Sequence, residues 1–198
     1  MGDPFEIETA HGPARAELRP VDAPRAALVL GHGAGGGVQA PDLVAAAKAA
    51  HDAHVTVALV EQPYRVAGRR SPAPAHQLDA AWIAVLEHLG GHELSGLRTI
   101  TGGRSSGARV ACRTSARTGA VGVLCVAFPL VPPSGVSRLP ELEAVTVPTL
   151  VVQGVSDRFG MPPPGLRRAV VQVAGDHGLR SASGAVMAAV GEWLEELL

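Results

Sequence analysis

A serine, an aspartate and a histidine occur in this sequence in contexts where they could form a nucleophilic site. Ser105 is the middle residue of GRSSG (residues 103–107), which fits the pattern G-x-S-x-G, and Asp157 and His177 follow later in the chain. A serine hydroxyl is a weak nucleophile at neutral pH unless a neighbouring base takes its proton. Histidine can act as that base, and a carboxylate can orient the ring and stabilise its protonated form.

The pentapeptide around Ser105 is weak evidence when taken alone. The chain has 24 glycines in 198 residues, and chance would produce G-x-S-x-G in about one such chain in seven. An ordinary turn serine and an ordinary loop histidine at His177 are therefore the alternatives. Asp176 also competes with Asp157 for the carboxylate role, although its place directly before His177 suits it poorly to meet that ring.

The elements that must position these residues are predicted from apolar patterns. Continuous apolar runs typical of strands buried on both faces lie at 26–30, 55–60, 97–101, 121–127, 147–153 and 169–173. Helical patterns lie between them at 41–53, 78–89 (ended by a glycine at 90), 106–118 and 186–197. Strands that alternate with helices favour an α/β fold with a mostly parallel sheet.

The remaining segments add a hairpin and two loops. Residues 5–9 and 14–18 alternate apolar and polar side chains around a turn, which predicts an N-terminal antiparallel hairpin. Residues 62–74 and 129–140 are proline-rich and are predicted to be loops, the second one too short for a folded cap domain. Because we find no repeat or linker, residues 1–198 are predicted to form a single α/β domain.

Each of the three candidate residues follows a different predicted strand. In parallel sheets, sites form in the crevice at the carboxyl ends of the strands, so we expect Ser105, Asp157 and His177 to meet there. The chain order Ser…Asp…His and the strand-to-helix context of the serine are those of a nucleophile elbow. Gly103 and Gly107 fit this turn, because a Cβ at either position would crowd the closely packed backbone.

Backbone N–H groups are expected to stabilise the negative charge that forms on a carbonyl oxygen under attack. One donor would be the N–H of Ser106, directly after the nucleophile, at the start of its helix. The other would come from the glycine loop at 31–37, most plausibly from Ala34. These two residues are the predicted oxyanion hole.

The chain resembles the α/β-hydrolases, of the small type without a lid that includes dienelactone hydrolase. It is most similar to bacterial relatives of the testis-expressed and NSL-complex-subunit hydrolase-like proteins. The resemblance implies an α/β-hydrolase fold with serine-hydrolase machinery at Ser105, Asp157 and His177. Dienelactone hydrolases have a cysteine where this chain has Ser105, so lactonase activity is not expected. The matching segments are LVLGHGAGGG (28–37), EQPYRVAGRRSPAP (61–74), GGRSSGARVA (102–111), VVQGVSDRFG (151–160) and GDHGL (175–179).

Four further residues are candidates for substrate binding. His32 in the glycine loop could contact the substrate, or its ring could brace the loop through backbone hydrogen bonds. Tyr64, Arg69 and Arg70 lie on the loop beside the expected pocket, where the arginines could clamp a carboxylate or phosphate. The alternative is that these arginines hold the proline-rich loop in place. Arg104, the variable residue of the pentapeptide, could serve either purpose.

Composition excludes several other classes of function. The formal net charge of −1 gives no electrostatic attraction for nucleic acid or an anionic membrane. Cys112 and Cys125 fit no metal spacing and are expected to be small buried residues. The first residues, MGDPFEIETAHG, do not read as a signal peptide, and the abundance of arginine over lysine is typical of a GC-rich bacterial genome. We therefore expect a cytoplasmic protein that needs no metal or organic cofactor; its oligomeric state is not indicated.

These observations favour a serine hydrolase that cleaves a small ester or related acyl substrate through an acyl-enzyme. Thioester and peptide substrates stay open. The alternative from another class is a hydrolase-like module that keeps the fold and binds a protein partner without turnover. An intact Ser, Asp and His set argues against that alternative, because a scaffold needs none of the three.

Overall fold

A computed structural model of the chain, which describes residues 3–198, contains eight strands in one sheet and six helices. The strands are β1 (Phe5–Ile7), β2 (Ala14–Arg19), β3 (Ala26–Gly31), β4 (Val55–Glu61), β5 (Thr99–Arg104), β6 (Gly122–Val126), β7 (Thr149–Gly154) and β8 (Arg168–Val173). The helices are α1 (Pro41–Asp52), α2 (Pro63–Val66), α3 (Ala75–Gly91), α4 (Ser106–Thr118), α5 (Leu139–Glu143) and α6 (Ser183–Leu197).

The sheet has the order β1-β2-β4-β3-β5-β6-β7-β8. Strands β1 and β2 form the antiparallel hairpin that the sequence predicts, and β2 also pairs antiparallel with β4. The other neighbouring pairs are parallel. This mostly parallel sheet with an antiparallel hairpin at one edge confirms the predicted α/β-hydrolase fold.

Helices cover both faces of the sheet because the central strands are apolar on both sides. On one face, α1 and α6 pack against each other and share a core with Leu28 of β3. On the other face, α3 brings Trp82 against Val29, the next residue of the same strand. Trp82 and Trp193 are both buried, as their places on the apolar stripes predict. The continuous apolar run of β3 is thus explained by two layers of helices.

The structure corrects the predicted loops and one helix end. The proline-rich segment 62–74 contains the short helix α2, and the short helix α5 begins at Leu139, where the segment 129–140 ends. Each helix has a proline near its start, where the missing N–H is harmless. Helix α3 does not stop at Gly90 but continues through Gly91. Both glycines lie in open space, and a helical glycine costs only about 1 kcal/mol, which the buried stripe of α3 outweighs.

A close backbone crossing lies where β5 meets α4. A Cβ at Gly103 would lie 2.5 Å from the carbonyl oxygen of Gly31 and 2.8 Å from the carbonyl carbon of Gly107. All of these neighbours are backbone atoms, which cannot move away as a flexible side chain could. The glycines predicted to matter for the turn are therefore required by the packing of β3 against the start of α4.

Gly103→Ala is expected to lower the free energy of unfolding by about 3 kcal/mol, because overpacking against backbone forces a shift of the strand. Gly90→Ala is the matched control, since a Cβ there meets nothing within 4 Å. That variant should gain up to about 1 kcal/mol from helix propensity. Urea unfolding of both variants measures the difference, and equal stabilities would contradict the crowding at Gly103.

Candidate active site

Ser105 lies on a tight turn between β5 and α4. Its backbone has φ 53° and ψ −106°, a left-handed φ that a residue with a side chain rarely adopts. The Ser105 N–H donates to the carbonyl oxygen of Val126, at the end of β6, over 2.9 Å. The turn is therefore held by the neighbouring strand, and the strained backbone projects the serine side chain from the carboxyl edge of the sheet.

The structure brings the three predicted side chains into one hydrogen-bonded row. His177 Nε2 lies 3.0 Å from Ser105 Oγ, and His177 Nδ1 lies 2.8 Å from Asp157 Oδ2. The Asp157 side chain is 1% exposed and that of His177 is 19% exposed. With Nδ1–H donating to the carboxylate, Nε2 is left to accept the serine proton, which is the arrangement a general base needs.

Gln153 is a part of this site that sequence reasoning missed. Its amide Nε2 donates to Asp157 Oδ2 over 2.8 Å and also lies 3.0 Å from the carbonyl oxygens of Phe128 and Gly160. The second carboxylate oxygen of Asp157 accepts from the backbone N–H of Phe159 at 2.9 Å. Both oxygens of Asp157 are thus occupied by N–H donors, which fixes the carboxylate against the histidine ring.

Asp176 does not approach the ring of His177. Its Oδ1 accepts from the backbone N–H of Gly178 over 2.8 Å, and its side chain faces solvent. The geometry therefore favours Asp157 over Asp176 as the partner of His177.

The predicted oxyanion donors lie next to Ser105. Gly33 packs closely against the serine, since a Cβ on Gly33 would lie 3.6 Å from Ser105 Cβ, and Ala34 follows it in the loop. Ser106 is the first residue of α4, so its N–H has no acceptor within the helix. Within residues 3–198, the N–H of Ala34 also has no acceptor. The assignment of these two N–H groups to the oxyanion hole stays a prediction.

His32 and Tyr64 brace the glycine loop. His32 is buried, its Nδ1 lies 2.8 Å from the carbonyl oxygen of Gly33, and its Nε2 accepts from the N–H of Gln62. Burial lowers the pKa of His32, which keeps the ring neutral with one donor and one acceptor. Tyr64 donates its hydroxyl to the carbonyl oxygen of Ala34 at 3.0 Å. The polar atoms of both side chains are thus engaged by the backbone, in agreement with the bracing role considered for His32, and a substrate contact by His32 or Tyr64 stays a prediction.

Arg69 and Arg70 make no side-chain hydrogen bond to Ser105, Asp157 or His177. Both are exposed, and neither makes a side-chain hydrogen bond or ion pair within the described part of the chain. Arg69 lines a small cavity of about 70 Å³ between α2, α3 and the N-terminal hairpin, which none of Ser105, Asp157 and His177 borders. A role of these arginines in substrate binding therefore stays a prediction, as does their alternative role in bracing the loop.

Arg104 connects three parts of the site. Its Nε donates to Asp42 Oδ2 at 2.7 Å, and its Nη2 donates to the carbonyl oxygen of His177 at 2.8 Å. A Cβ on Gly33 would lie 2.8 Å from Nη1, so the guanidinium also packs against the glycine loop. Asp42 is fully buried at the start of α1; burial raises its pKa, and Arg104 opposes that rise. Arg104 is therefore a positioning residue for the loop that carries His177.

Arg104→Met is expected to lower the free energy of unfolding by about 3–5 kcal/mol, because it leaves the Asp42 carboxylate buried without its cation. The loss should shrink below the ordinary pKa of aspartate, where Asp42 is protonated in both states. The loss of stability should grow as the pH rises through the raised pKa of Asp42 in the folded state. Adding Asp42→Asn should recover part of the loss in urea unfolding. Strictly additive losses in the double variant would contradict the pairing.

Other candidate chemistry is sparse in the described residues. Cys112 and Cys125 are buried free thiols whose Sγ atoms lie 3.4 Å apart, as expected for small core residues. From residue 3 to residue 198, no three His, Cys, Asp or Glu side chains form a group that could hold a metal ion. None of the helices in that range is both long and apolar enough to cross a membrane.

Solved structures with the same fold are numerous at low sequence identity. Est1E from Butyrivibrio proteoclasticus is 14% identical, with 99% of each chain covered and a TM-score of 0.81. A serine hydrolase homologue from Coxiella burnetii is 15% identical, with 96% of each chain covered and a TM-score of 0.77. Dienelactone hydrolase from Anabaena variabilis is 16% identical, with 98% of each chain covered and a TM-score of 0.77. At these identities the likeness shows the fold alone.

Sequence comparison adds the family. No curated protein sequence matches this chain. A family model described as alpha/beta hydrolase domain matches residues 24–180, a range that contains every candidate residue of the site. The chain therefore belongs to the alpha/beta hydrolase domain family.

Proposed function

We propose that this protein is a serine hydrolase that cleaves a small ester through an acyl-enzyme. The single observation that carries the proposal is the row of two hydrogen bonds from Ser105 Oγ through the ring of His177 to Asp157. A strained elbow backbone at Ser105 and unpaired N–H groups beside it support the same chemistry. No step requires a metal or an organic cofactor.

In the first half of the reaction, Ser105 Oγ attacks the ester carbonyl carbon while His177 Nε2 takes the hydroxyl proton. Asp157 accepts the hydrogen bond from Nδ1–H of His177 and stabilises the imidazolium. The N–H groups of Ala34 and Ser106 hold the oxyanion of the tetrahedral intermediate. The carbon–oxygen bond to the alcohol then breaks, and His177 gives the proton to the leaving oxygen.

In the second half, a water molecule attacks the acyl-enzyme. His177 takes a proton from the water, the second tetrahedral intermediate forms at the same oxyanion site, and Ser105 leaves with the proton returned by His177. Water, ester, acid and alcohol balance the reaction without any further reactant. The acyl group is proposed to be small or exposed, because in the described residues the segment between β6 and β7 carries only the short helix α5 and no cap domain.

A fluorophosphonate probe tests the proposal directly, because such probes phosphonylate activated serines. We expect the folded protein to be labelled at Ser105 and Ser105→Ala to stay unlabelled, as read by intact mass and peptide mapping. Thermally unfolded protein serves as the control for non-specific reaction. A folded protein that resists the probe would overturn the enzyme proposal and favour the partner-binding alternative.

Three finer assignments belong to the same proposal. The segments GGRSSGARVA and VVQGVSDRFG support a relationship to the bacterial relatives of the testis-expressed and NSL-complex-subunit proteins. The shared eight-stranded sheet supports one domain over the whole chain. The bacterial origin and the cytoplasmic location stay predictions from composition, and the substrate is proposed to be a small acyl compound rather than a nucleic acid.

A further inference from the structure

A groove of about 420 Å³ opens beside the histidine of the proposed site. It lies between the loop that follows β6 and the loop that follows β7. We call it the β6–β7 groove. Its lining residues are Val131, Pro132, Pro133, Arg158, Phe159 and Gly160.

The sheet order places the β6–β7 groove next to the reacting centre. Strand β6 lies between β5, which ends at the Ser105 turn, and β7, which leads to Asp157. The ring of Phe159 meets the ring of His177 edge-on, with centroids 4.6 Å apart. A group in the groove therefore shares one wall, the Phe159 ring, with the proposed general base.

The two loops are joined, so the groove is a built feature. The backbone N–H of Val131 donates to the carbonyl oxygen of Phe159 over 2.8 Å. On the far side, Arg138 donates from Nη1 to the carbonyl oxygen of Pro129 at 3.1 Å. The amide Nε2 of Gln153 donates a hydrogen bond to the carbonyl oxygen of Gly160 over 3.0 Å. These contacts fix the walls without using the groove-facing atoms of Arg158.

Arg158 supplies the one charged side chain of the groove lining. Its guanidinium carbon lies 4.9 Å above the centre of the Phe159 ring. A guanidinium that packs over an aromatic ring through its face keeps its in-plane N–H donors free for other acceptors. Arg158 is exposed, and no carboxylate of residues 3–198 lies within 4.0 Å of it. By contrast, Arg104, Arg109 and Arg113 are each paired with a carboxylate.

We propose that the β6–β7 groove binds an apolar part of the substrate that bears a carboxylate, with Arg158 as the specificity-determining residue. The valine, proline and phenylalanine surfaces would cover the apolar part. The planar N–H pair of Arg158 matches a carboxylate with two parallel hydrogen bonds. This inference rests on the proposed serine hydrolase function and assigns its substrate class as esters with a second, free carboxylate.

Kinetics with matched ester pairs test this assignment. Comparing kcat/KM for mono-p-nitrophenyl glutarate with that for p-nitrophenyl valerate tests for a carboxylate in the acyl half of the substrate. Comparing 3-acetoxybenzoate with phenyl acetate tests for a carboxylate in the alcohol half. A charge-assisted hydrogen bond contributes about 1.5–3 kcal/mol, so Arg158→Ala should lower kcat/KM for the preferred anionic ester about 10- to 100-fold. The neutral esters should change less than about threefold.

Two control variants make the test specific. Arg158→Lys should keep part of the preference, because it retains the charge but not the planar donor pair. Arg117→Ala removes another exposed arginine, near the C-terminal end of α4 and outside the proposed site, and should leave the rates with all four esters unchanged. A preference in either half of the substrate that is lost in Arg158→Ala supports the proposal and locates the carboxylate, whereas a preference that this variant retains would overturn it. A wild-type enzyme that hydrolyses neutral esters without preferring an anionic one would overturn it.

Equilibrium binding separates failure of this assignment from failure of the hydrolase proposal. Calorimetric titration of Ser105→Ala with 3-acetoxybenzoate and mono-p-nitrophenyl glutarate needs no turnover. If either ester binds to Ser105→Ala and this binding is lost in the Ser105→Ala, Arg158→Ala double variant, the proposed role of the groove is supported even if no ester is hydrolysed. Absence of binding, or binding unaffected by Arg158→Ala, would overturn the groove even if fluorophosphonate labelling succeeds.

Discussion

Ser105→Ala is expected to lower kcat for ester hydrolysis by about 10⁶, the loss typical of removing the nucleophile of such a triad. The hydroxyl forms the acyl-enzyme, and no neighbouring side chain in the row can replace it. A residual rate of about 10³–10⁴ over water should persist, since the oxyanion donors and substrate binding remain. Initial rates with p-nitrophenyl esters of increasing chain length measure the effect.

Ser106→Ala is the matched control for this prediction. The substitution keeps the backbone N–H that is proposed to hold the oxyanion and removes only the neighbouring hydroxyl. Near wild-type kcat is therefore expected. A large loss of kcat in Ser106→Ala with little loss in Ser105→Ala would show that Ser106, and not Ser105, is the nucleophile.

Asp157→Asn is expected to lower kcat by about 10⁴ with little change in the fold, as when the orienting carboxylate of a triad is replaced by an amide. Both oxygens of Asp157 accept from N–H groups: one from Gln153 and His177, the other from Phe159. Asparagine has only one oxygen, so its NH₂ must face one of these donors. The histidine then loses its partner or changes tautomer, and Nε2 no longer accepts the serine proton.

Asp176→Asn provides the comparison for that variant. Asp176 is exposed and bonds only to the N–H of Gly178, so kcat should stay within about threefold of wild type. Circular dichroism on both variants separates lost chemistry from lost folding. If Asp176→Asn lost activity and Asp157→Asn did not, the proposed carboxylate would be the wrong one.

Much of the fold could be predicted because its signals are local. Strand β3 and helix α4 were recognisable from a continuous apolar run and from a 13-residue segment after a glycine turn. Burial on both faces of a parallel sheet demands such runs, and the carboxyl ends of parallel strands meet at one edge. The positions of Ser105, Asp157 and His177 after three different strands therefore predict that they converge. The short helices α2 and α5 were missed because their proline-rich sequences carry no apolar period.

The partners of the site residues could not be predicted in the same way. Arg104 pairs with Asp42, 62 residues earlier in the chain, and no spacing rule connects the two. The sequence favours a bracing role for His32, but its partners, the carbonyl oxygen of Gly33 and the N–H of Gln62, are known only from the tertiary structure. Arg69 and Arg70 were expected near the pocket, whereas Arg158 is the arginine that lines a groove beside His177.

By itself, the sequence determined the class of fold, the edge of the sheet where chemistry would lie, and three side chains able to perform it. Those features depend on periodicity and on which residue follows each strand, and both can be read along the chain. Only the tertiary structure decided which polar groups are already engaged and which remain available to a substrate. That distinction depends on contacts between segments distant in sequence, which form when the strands take their order in the sheet.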